Sequence, residues 1–594
     1  MDKIIAFIAY ESPWFPASGV ATVMDHLPSA TEAAAHLPTV VITPLHLNSA
    51  NIAALQMQEV EVLELPYENV LILIPVLYYH AECPWYFLDI DYRTESHGPV
   101  FAGKRHPYDV SKEALLRDSL LFGAAAAEAL PAIARHRGTK ATSVEWNLIA
   151  QNWEAAPALL AFSSQWVIPG RCHLTLHNSY DEFASTVDLS GVGIDPSRCP
   201  GGAILERAFS IIEQPAFTVS DQFALDLTQD LVQREVMVSH LQADLNRYPV
   251  FGVDNGPFKA LALGDADLRG AAIGDFGPLE RWKSSNREKA LSALDAHTET
   301  EDEPVWGDKS RFRRDESPWF VMAGRDDPRQ KGYDVAAAAA ESYLTEHRDK
   351  PGCAQFLFFP IPGDEGLPGL EFLKTLAANF PQDVLVFPFI WEAGFTATLQ
   401  GAAFGLIPSL FEPFGMANEF YLAGGCVGIG RATGGNLEQI VPLRATSAFS
   451  RAVQVRADRC HGLSAHPTGI LFRERDGIAS ASRDWQAIND AQYDKKGGSP
   501  SRVSQRRSFA VFREMAAELR IAIEDGIRVY RREPELYYRM LAEGVAHIQR
   551  TFSWQRAGQE YARKVAQQVV GKTPDGGVKR TPSSAAGTRP LSLV

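Results

Sequence analysis

Short apolar runs alternate with longer amphipathic stretches along most of the chain. The runs at 4–9, 40–43, 70–77, 173–176, 319–323, 356–360, 384–389 and 426–429 are mostly β-branched or aromatic and lack steady alternation. Such runs fit strands covered on both faces, as in parallel sheets. Between them, 111–130, 334–347, 367–380 and 415–424 carry apolar residues at helical spacing. This succession predicts a doubly wound α/β architecture.

The pattern changes over 264–317, which is rich in Asp, Glu, Arg, Ser and Gly and poor in strand signals. It reads as a connector, with some helix, between two α/β halves, 1–263 and 318–545. The stretch 492–507 reads as a polar loop, 546–570 as a terminal helix packing back on the first half, and 571–594 as a disordered tail.

At 594 residues the chain can bury large cores in several domains. Lys and Arg number 57 against 72 Asp and Glu, a net charge of −15. That balance argues against a nucleic-acid or anionic-membrane partner, both of which need a positive field. Six cysteines occur without any C-x-x-C spacing, which fits reduced thiols. There is no apolar run of the roughly 18 residues that a membrane span needs. The opening apolar run is closed by Glu11 and reads as a buried first strand, not a signal peptide. A cytoplasmic location follows, with self-association left open.

The most informative stretch is Ser409-Leu410-Phe411-Glu412-Pro413-Phe414-Gly415-Met416-Ala417-Asn418-Glu419. An apolar strand ends at a carboxylate, Pro413 keeps Glu412 out of the helical region, and Gly415 allows a tight turn into a helix. A strand end followed by a helix N-terminus can hold an anion on backbone donors. A second glycine turn, Arg431-Ala432-Thr433-Gly434-Gly435-Asn436, follows the next strand. Arg325 offers a planar fork and Lys331 a point charge, and both suit phosphate. His177 follows an apolar strand, at the strand end where ligands of open α/β sheets bind.

F-E-P-x-G followed about twenty residues later by T-G-G resembles the glycogen/starch synthases, retaining glucosyltransferases with two Rossmann-like domains facing a cleft (the GT-B fold) and C-terminal helices. Other segments resemble the family in the same order. Gln151-Asn152-Trp153-Glu154-Ala155 stands in the place of its D-W-H-A, and Leu174-Thr175-Leu176-His177-Asn178 resembles its T-x-H-N. Val253-Asp254-Asn255-Gly256 resembles the N-G closing its first domain, and Gly324-Arg325 with Lys331-Gly332-Tyr333-Asp334 resembles its G-R…K-G-x-D. Phe389-Ile390-Trp391-Glu392-Ala393-Gly394-Phe395 looks like its Y-H-E-A-F, and Phe552-Ser553-Trp554 like its F-S-W.

The resemblance implies transfer of glucose from ADP-glucose, or less favourably UDP-glucose, to the 4-hydroxyl at the non-reducing end of an α-1,4-glucan. It makes Arg325 and Lys331 the donor-phosphate pair, His177 a sugar-facing group and Glu412 the carboxylate at the donor sugar. Gly19, Asn255, Gly415, Met416, Thr433, Gly434 and Gly435 would line the donor and its phosphates. Asn152, Trp153 and Glu154 would lie on the acceptor side. No cofactor or metal is implied, because cationic side chains and helix ends neutralise the diphosphate. Nucleotide sugar and glucan are the implied partners.

Two segments depart from the family pattern. Glu11-Ser12-Pro13-Trp14-Phe15-Pro16-Ala17-Ser18-Gly19 lacks the lysine of the family's E-x-x-P-x-x-K-x-G-G-L, and Glu154 stands where the family has an imidazole. Rival readings are a non-catalytic glucan- or nucleotide-binding relative, a transferase with another acceptor, and, less favoured, a glucan phosphorylase.

Overall fold

The computed structural model describes residues 2–46, 55–67, 70–90, 101–108, 110–164, 168–347, 353–363, 366–479, 482–491 and 500–567. The tail expected at 571–594 and the 492–499 part of the expected loop lie outside them.

The first sheet contains β1 (Asp2–Ile8), β2 (Thr39–Pro44), β3 (Gln58–Tyr67), β4 (Val70–His80), β5 (Pro84–Leu88), β6 (Val144–Gln151), β7 (Gly170–Leu176), β8 (Phe217–Thr218) and β9 (Phe251–Gly252). Their order is β3-β4-β5-β2-β1-β6-β7-β8-β9. From β5 to β9 every pair is parallel; β3 and β4 add an antiparallel edge. The run at 70–77 is therefore not covered on both faces. Ile72, Ile74 and Val76 are buried, whereas Val70, Leu71 and Leu73 are exposed, because an edge hairpin offers only one face to the core.

The second sheet contains β10 (Trp319–Arg325), β11 (Gln355–Ile361), β12 (Val384–Val386), β13 (Phe404–Ile407), β14 (Val427–Arg431) and β15 (Ile470–Phe472). All its pairings are parallel, in the order β12-β11-β10-β13-β14-β15. Renumbered along the chain this is 3-2-1-4-5-6, the doubly wound order whose reversal between first and fourth strands opens a ligand crevice. In the first sheet the same reversal falls between β1 and β6.

Between the sheets the chain forms helices Asp265–Ala272 and Gly277–Ala296. Pro500–Arg507 is helical, correcting the loop reading there. Its Arg506 is fully buried and donates to Asp334 Oδ2 at 2.6 Å and to the Pro328 carbonyl at 2.7 Å, contacts that a polar-loop reading gives no reason to expect. Helices Ala510–Arg532 and Pro534–Thr551 cover the second sheet, with Tyr537 donating to the Ala403 carbonyl at 2.8 Å. The last helix, Trp554–Gln567, lies on helix Gly19–Ala35 of the first lobe. A Cβ on Gly558 would come within 2.4 Å of Ala30 backbone, so only glycine lets these helices approach so closely. Tyr561 hydrogen-bonds Thr175 Oγ1 at 2.9 Å and packs beside Phe7 and Phe217.

Candidate active site

The second lobe brings its chemistry to the C-terminal ends of β10 and β13. Beyond β13, Ser409 donates to Glu412 Oε2 at 2.8 Å, and Glu412 is only 4% exposed. Lys331 Nζ lies 3.0 and 3.2 Å from the two Glu412 oxygens, and Gln330 Nε2 lies 3.4 Å from Oε1. The sharp turn after Glu412 depends on Gly415, which sits at φ +98; a Cβ there would come within 2.7 Å of Glu412 Cγ. Met416 caps helix Ala417–Leu422, and Asn418 fixes the turn by donating to the Gly415 carbonyl at 2.9 Å. Arg325, at the end of β10, does not join the Lys331–Glu412 pair. Its half-exposed guanidinium lies 3.6 Å from Asp327.

The first lobe supplies the facing loops. Glu11 is fully buried and accepts from the Ala17 amide at 3.0 Å, the Ser18 amide at 2.7 Å, Ser18 Oγ at 2.6 Å and Tyr108 OH at 2.8 Å. These donors fold the loop without the family's lysine. Ser18 then caps helix Gly19–Ala35 by accepting from the Val20 amide, leaving Gly19 exposed at the helix start. Asn152 adopts φ +65, a left-handed conformation that asparagine tolerates better than most residues. From there its Oδ1 accepts the His177 amide at 2.7 Å. The His177 ring meets Gln151 Oε1 at 2.7 Å, and burial pushes its pKa down to about 3, so it works as a neutral imidazole. Asn255 is buried just past β9. Gly256 beside it leaves room for the Trp554 ring, which a Cβ would strike at 2.5 Å.

Trp153 and Glu154 are buried at the end of β6, beside the strand-order reversal. Burial, then the nearby Glu11, Asp181 and Glu182, raise Glu154 from 4.5 to about 8. Between those two pH values the folded protein holds a proton that the unfolded chain has lost, so stability falls as pH rises through the window. Glu154→Gln is expected to remove that fall and to raise stability at pH 8.5 by roughly 1 kcal/mol or more. Chemical denaturation of both proteins at pH 5 and 8.5 checks this; an unchanged difference between the two pH values refutes it.

Across the junction Tyr180, three residues past His177, donates to Asp327 Oδ2 at 2.7 Å, two residues past Arg325. Arg329 lies over the Tyr180 ring at 4.6 Å. The loops after β7 and β10 therefore stand face to face. Ser220 Oγ donates to the Pro413 carbonyl at 2.6 Å, and the Phe258 amide to Asn418 Oδ1 at 3.0 Å.

The reading of Thr433, Gly434 and Gly435 as donors to a ligand needs correction for this arrangement. The Gly434 amide and Thr433 Oγ1 donate to Asp226 Oδ2 of the first lobe, at 2.7 and 3.2 Å. The Gly435 amide donates to the Glu412 carbonyl at 2.9 Å, and the Thr433 amide to the Arg431 carbonyl at 2.9 Å. These donors are occupied by protein. By contrast, the Gly415 and Met416 amides meet no acceptor among the described residues. Sequence reasoning missed Tyr180, Asp226 and Asp327; Ser220, a helix cap two turns before Asp226, was the available signal.

Two doubly wound sheets with their strand ends apposed, a buried carboxylate–lysine pair on one side and a neutral histidine on the other, define a glycosyltransferase of the GT-B class. Residues 4–208 match the family described as starch synthase catalytic domain. The catalytic domain of starch synthase IV from Arabidopsis thaliana, bound to ADP and acarbose, superimposes with a TM-score of 0.65 at 16% identity, over 96% of this chain and 100% of that one. A sucrose-phosphate synthase from Thermosynechococcus elongatus matches with a TM-score of 0.48 at 15% identity, over 95% of this chain and 99% of the other. No curated protein sequence matches the chain. Among the described residues no helix is long and apolar enough to cross a membrane.

Proposed function

We propose that the protein transfers glucose, with retention, from ADP-glucose or UDP-glucose to the non-reducing end of an α-1,4-glucan. The observation that carries this reading is the buried Glu412 held by Lys331 at the end of β13, in a chain whose first lobe matches a starch synthase catalytic domain. As the bond from the anomeric carbon to the diphosphate breaks, its electrons leave with the diphosphate. Lys331, Arg325 and the Gly415 and Met416 amides would take up that charge, which fixed donors in a dry cleft do at no reorganisation cost. Glu412 would hold donor-sugar hydroxyls and steady the positive charge at the anomeric carbon. The neutral His177 ring would meet a sugar hydroxyl from the facing lobe. The proton lost by the attacking 4-hydroxyl can pass to the departing diphosphate oxygen, which gains basicity as the bond breaks.

Nucleotide release from ADP-glucose and UDP-glucose, with and without glycogen, tests the proposal. Release that requires glycogen is the expected result. Nucleotide-sugar binding without release supports a non-catalytic relative, and release that responds only to a small sugar reassigns the acceptor.

A further inference from the structure

The turn from Arg325 to Lys331 is built around Asp327, which is 7% exposed. Its backbone carbonyl accepts the Gln330 and Lys331 amides at 3.0 and 2.8 Å, so Lys331 reaches Glu412 from a turn that Asp327 closes. Its carboxylate serves other partners. Oδ1 accepts the Arg329 amide at 3.0 Å. Oδ2 accepts Tyr180 OH of the facing lobe at 2.7 Å, and Arg325 Nη2 stands 3.6 Å from that same oxygen, beyond hydrogen-bond length.

Two donors thus converge on one oxygen, and the neutral one holds it. Tyr180 stays a phenol, because burial and then the Asp327 charge push its pKa up. The Arg329 guanidinium lies over its ring at 4.6 Å, which keeps the hydroxyl aimed at Oδ2. Were the hydroxyl absent, Oδ2 would lose that donor in a nearly buried place, where an unmet acceptor is costly. The Arg325 guanidinium would have to close a gap of less than about 1 Å to replace it. The charge-assisted bond it would form is about twice as strong as a neutral one. Arg325 paired in this way would have to be pulled off Asp327 before it met a phosphate.

We propose that Tyr180 is a positioning residue of the donor site: by holding Asp327 Oδ2 from the first lobe, its hydroxyl keeps the Arg325 guanidinium off the carboxylate and available to a diphosphate. This rests on the reading of Arg325 as a phosphate ligand and adds to it a role for Tyr180 and Asp327. It also makes the phosphate affinity of the second lobe depend on the first, since the hydroxyl comes from the loop after β7.

Calorimetric titration with inorganic pyrophosphate tests this without turnover, a nucleotide or an acceptor. Tyr180→Phe keeps the ring under Arg329 and removes only the hydroxyl. It is expected to weaken pyrophosphate binding roughly fivefold or more, the size of one lost charge-assisted contact. Adding Asp327→Asn, which takes away the competing charge, is expected to bring the affinity back to within about twofold of the parent. In an Arg325→Gln background Tyr180→Phe is expected to change nothing. A Tyr180 that merely holds the lobes together would give neither the rescue nor the dependence on Arg325. Asp327→Asn alone should bind pyrophosphate at least as tightly as the parent, which keeps the proposal open to test should Tyr180→Phe fail to fold. The proposal falls if the parent does not bind pyrophosphate, if Tyr180→Phe binds it as tightly as the parent, or if Asp327→Asn alone weakens binding. It falls equally if Asp327→Asn does not restore the loss, or if the loss persists without Arg325. Absence of glycogen-dependent nucleotide release would strike the transfer reading and leave these titrations standing.

Discussion

Lys331→Ala is expected to cut nucleotide release tenfold or more. The ammonium lies 3.0 and 3.2 Å from the Glu412 oxygens, with its side chain 19% exposed toward the crevice. Losing a charge-assisted contact to a phosphate costs roughly 1.5–3 kcal/mol, which is at least a tenfold loss in rate when the contact strengthens as the diphosphate departs. A second effect has to be separated from the first. Without Lys331 the buried Glu412 keeps, among the described residues, only Ser409 and Gln330 as side-chain donors, so the variant also loses stability. Lys331→Met combined with Glu412→Gln removes the unpaired charge. The double variant is expected to recover the parent's unfolding midpoint while remaining at least tenfold slower. Recovery of both stability and rate would remove Lys331 from the chemistry.

Arg431→Met is expected to cost about 3–5 kcal/mol of stability, the range for breaking one partner out of a buried ion pair. Arg431 and Glu474 side chains are both completely buried. Arg431 Nε donates to Glu474 Oε2 at 2.9 Å, its Nη2 to Oε1, and its Nη1 to the Leu410 carbonyl two residues before Glu412. Arg473 adds a contact to Glu474 at 3.0 Å and reaches Asp230 of the first lobe. Burial alone would raise the Glu474 carboxyl, but Arg431 and Arg473 outweigh it and hold it at about 2. A depressed carboxylate stabilises the fold above its unfolded pKa, 4.5, and the contribution fades as pH falls through about 2. Parent and variant should therefore differ most above pH 5 and converge toward pH 2 in denaturant titrations. A pH-independent gap would place the loss in packing instead. Arg431→Met with Glu474→Met should lose much less than either single change.

The order of the fold was legible because strand ends, turns and helix starts are local. Gly415 announces a turn that needs positive φ, and the structure has it, whereas the strand read as ending at Glu412 stops at Ile407 and leaves Glu412-Pro413 in the loop beyond. What local pattern could not show was which donors remain free. Gly434 and Gly435 look available in the chain, yet Asp226, about two hundred positions earlier, takes the first amide. Likewise Val70–His80 looks like a strand covered on both faces until it is seen in the antiparallel hairpin next to the edge strand β3, and Pro500–Arg507 looks like a loop until Arg506 is seen holding Asp334. Arg325 and Lys331 are neighbours in sequence, but the turn between them sends one to Asp327 and the other to Glu412.

The helix Trp554–Gln567 has a consequence for biosynthesis. Ala557, Tyr561 and Val565 belong to the same apolar cluster as Ile5, Phe7 and Met24. One side of the first sheet thus waits for residues translated some five hundred positions later. At the 5–20 residues per second typical of translation, that delay is roughly half a minute to two minutes. Nascent chains stalled before this helix should leave that side uncovered and attract holdase chaperones, and full-length release should end the attraction.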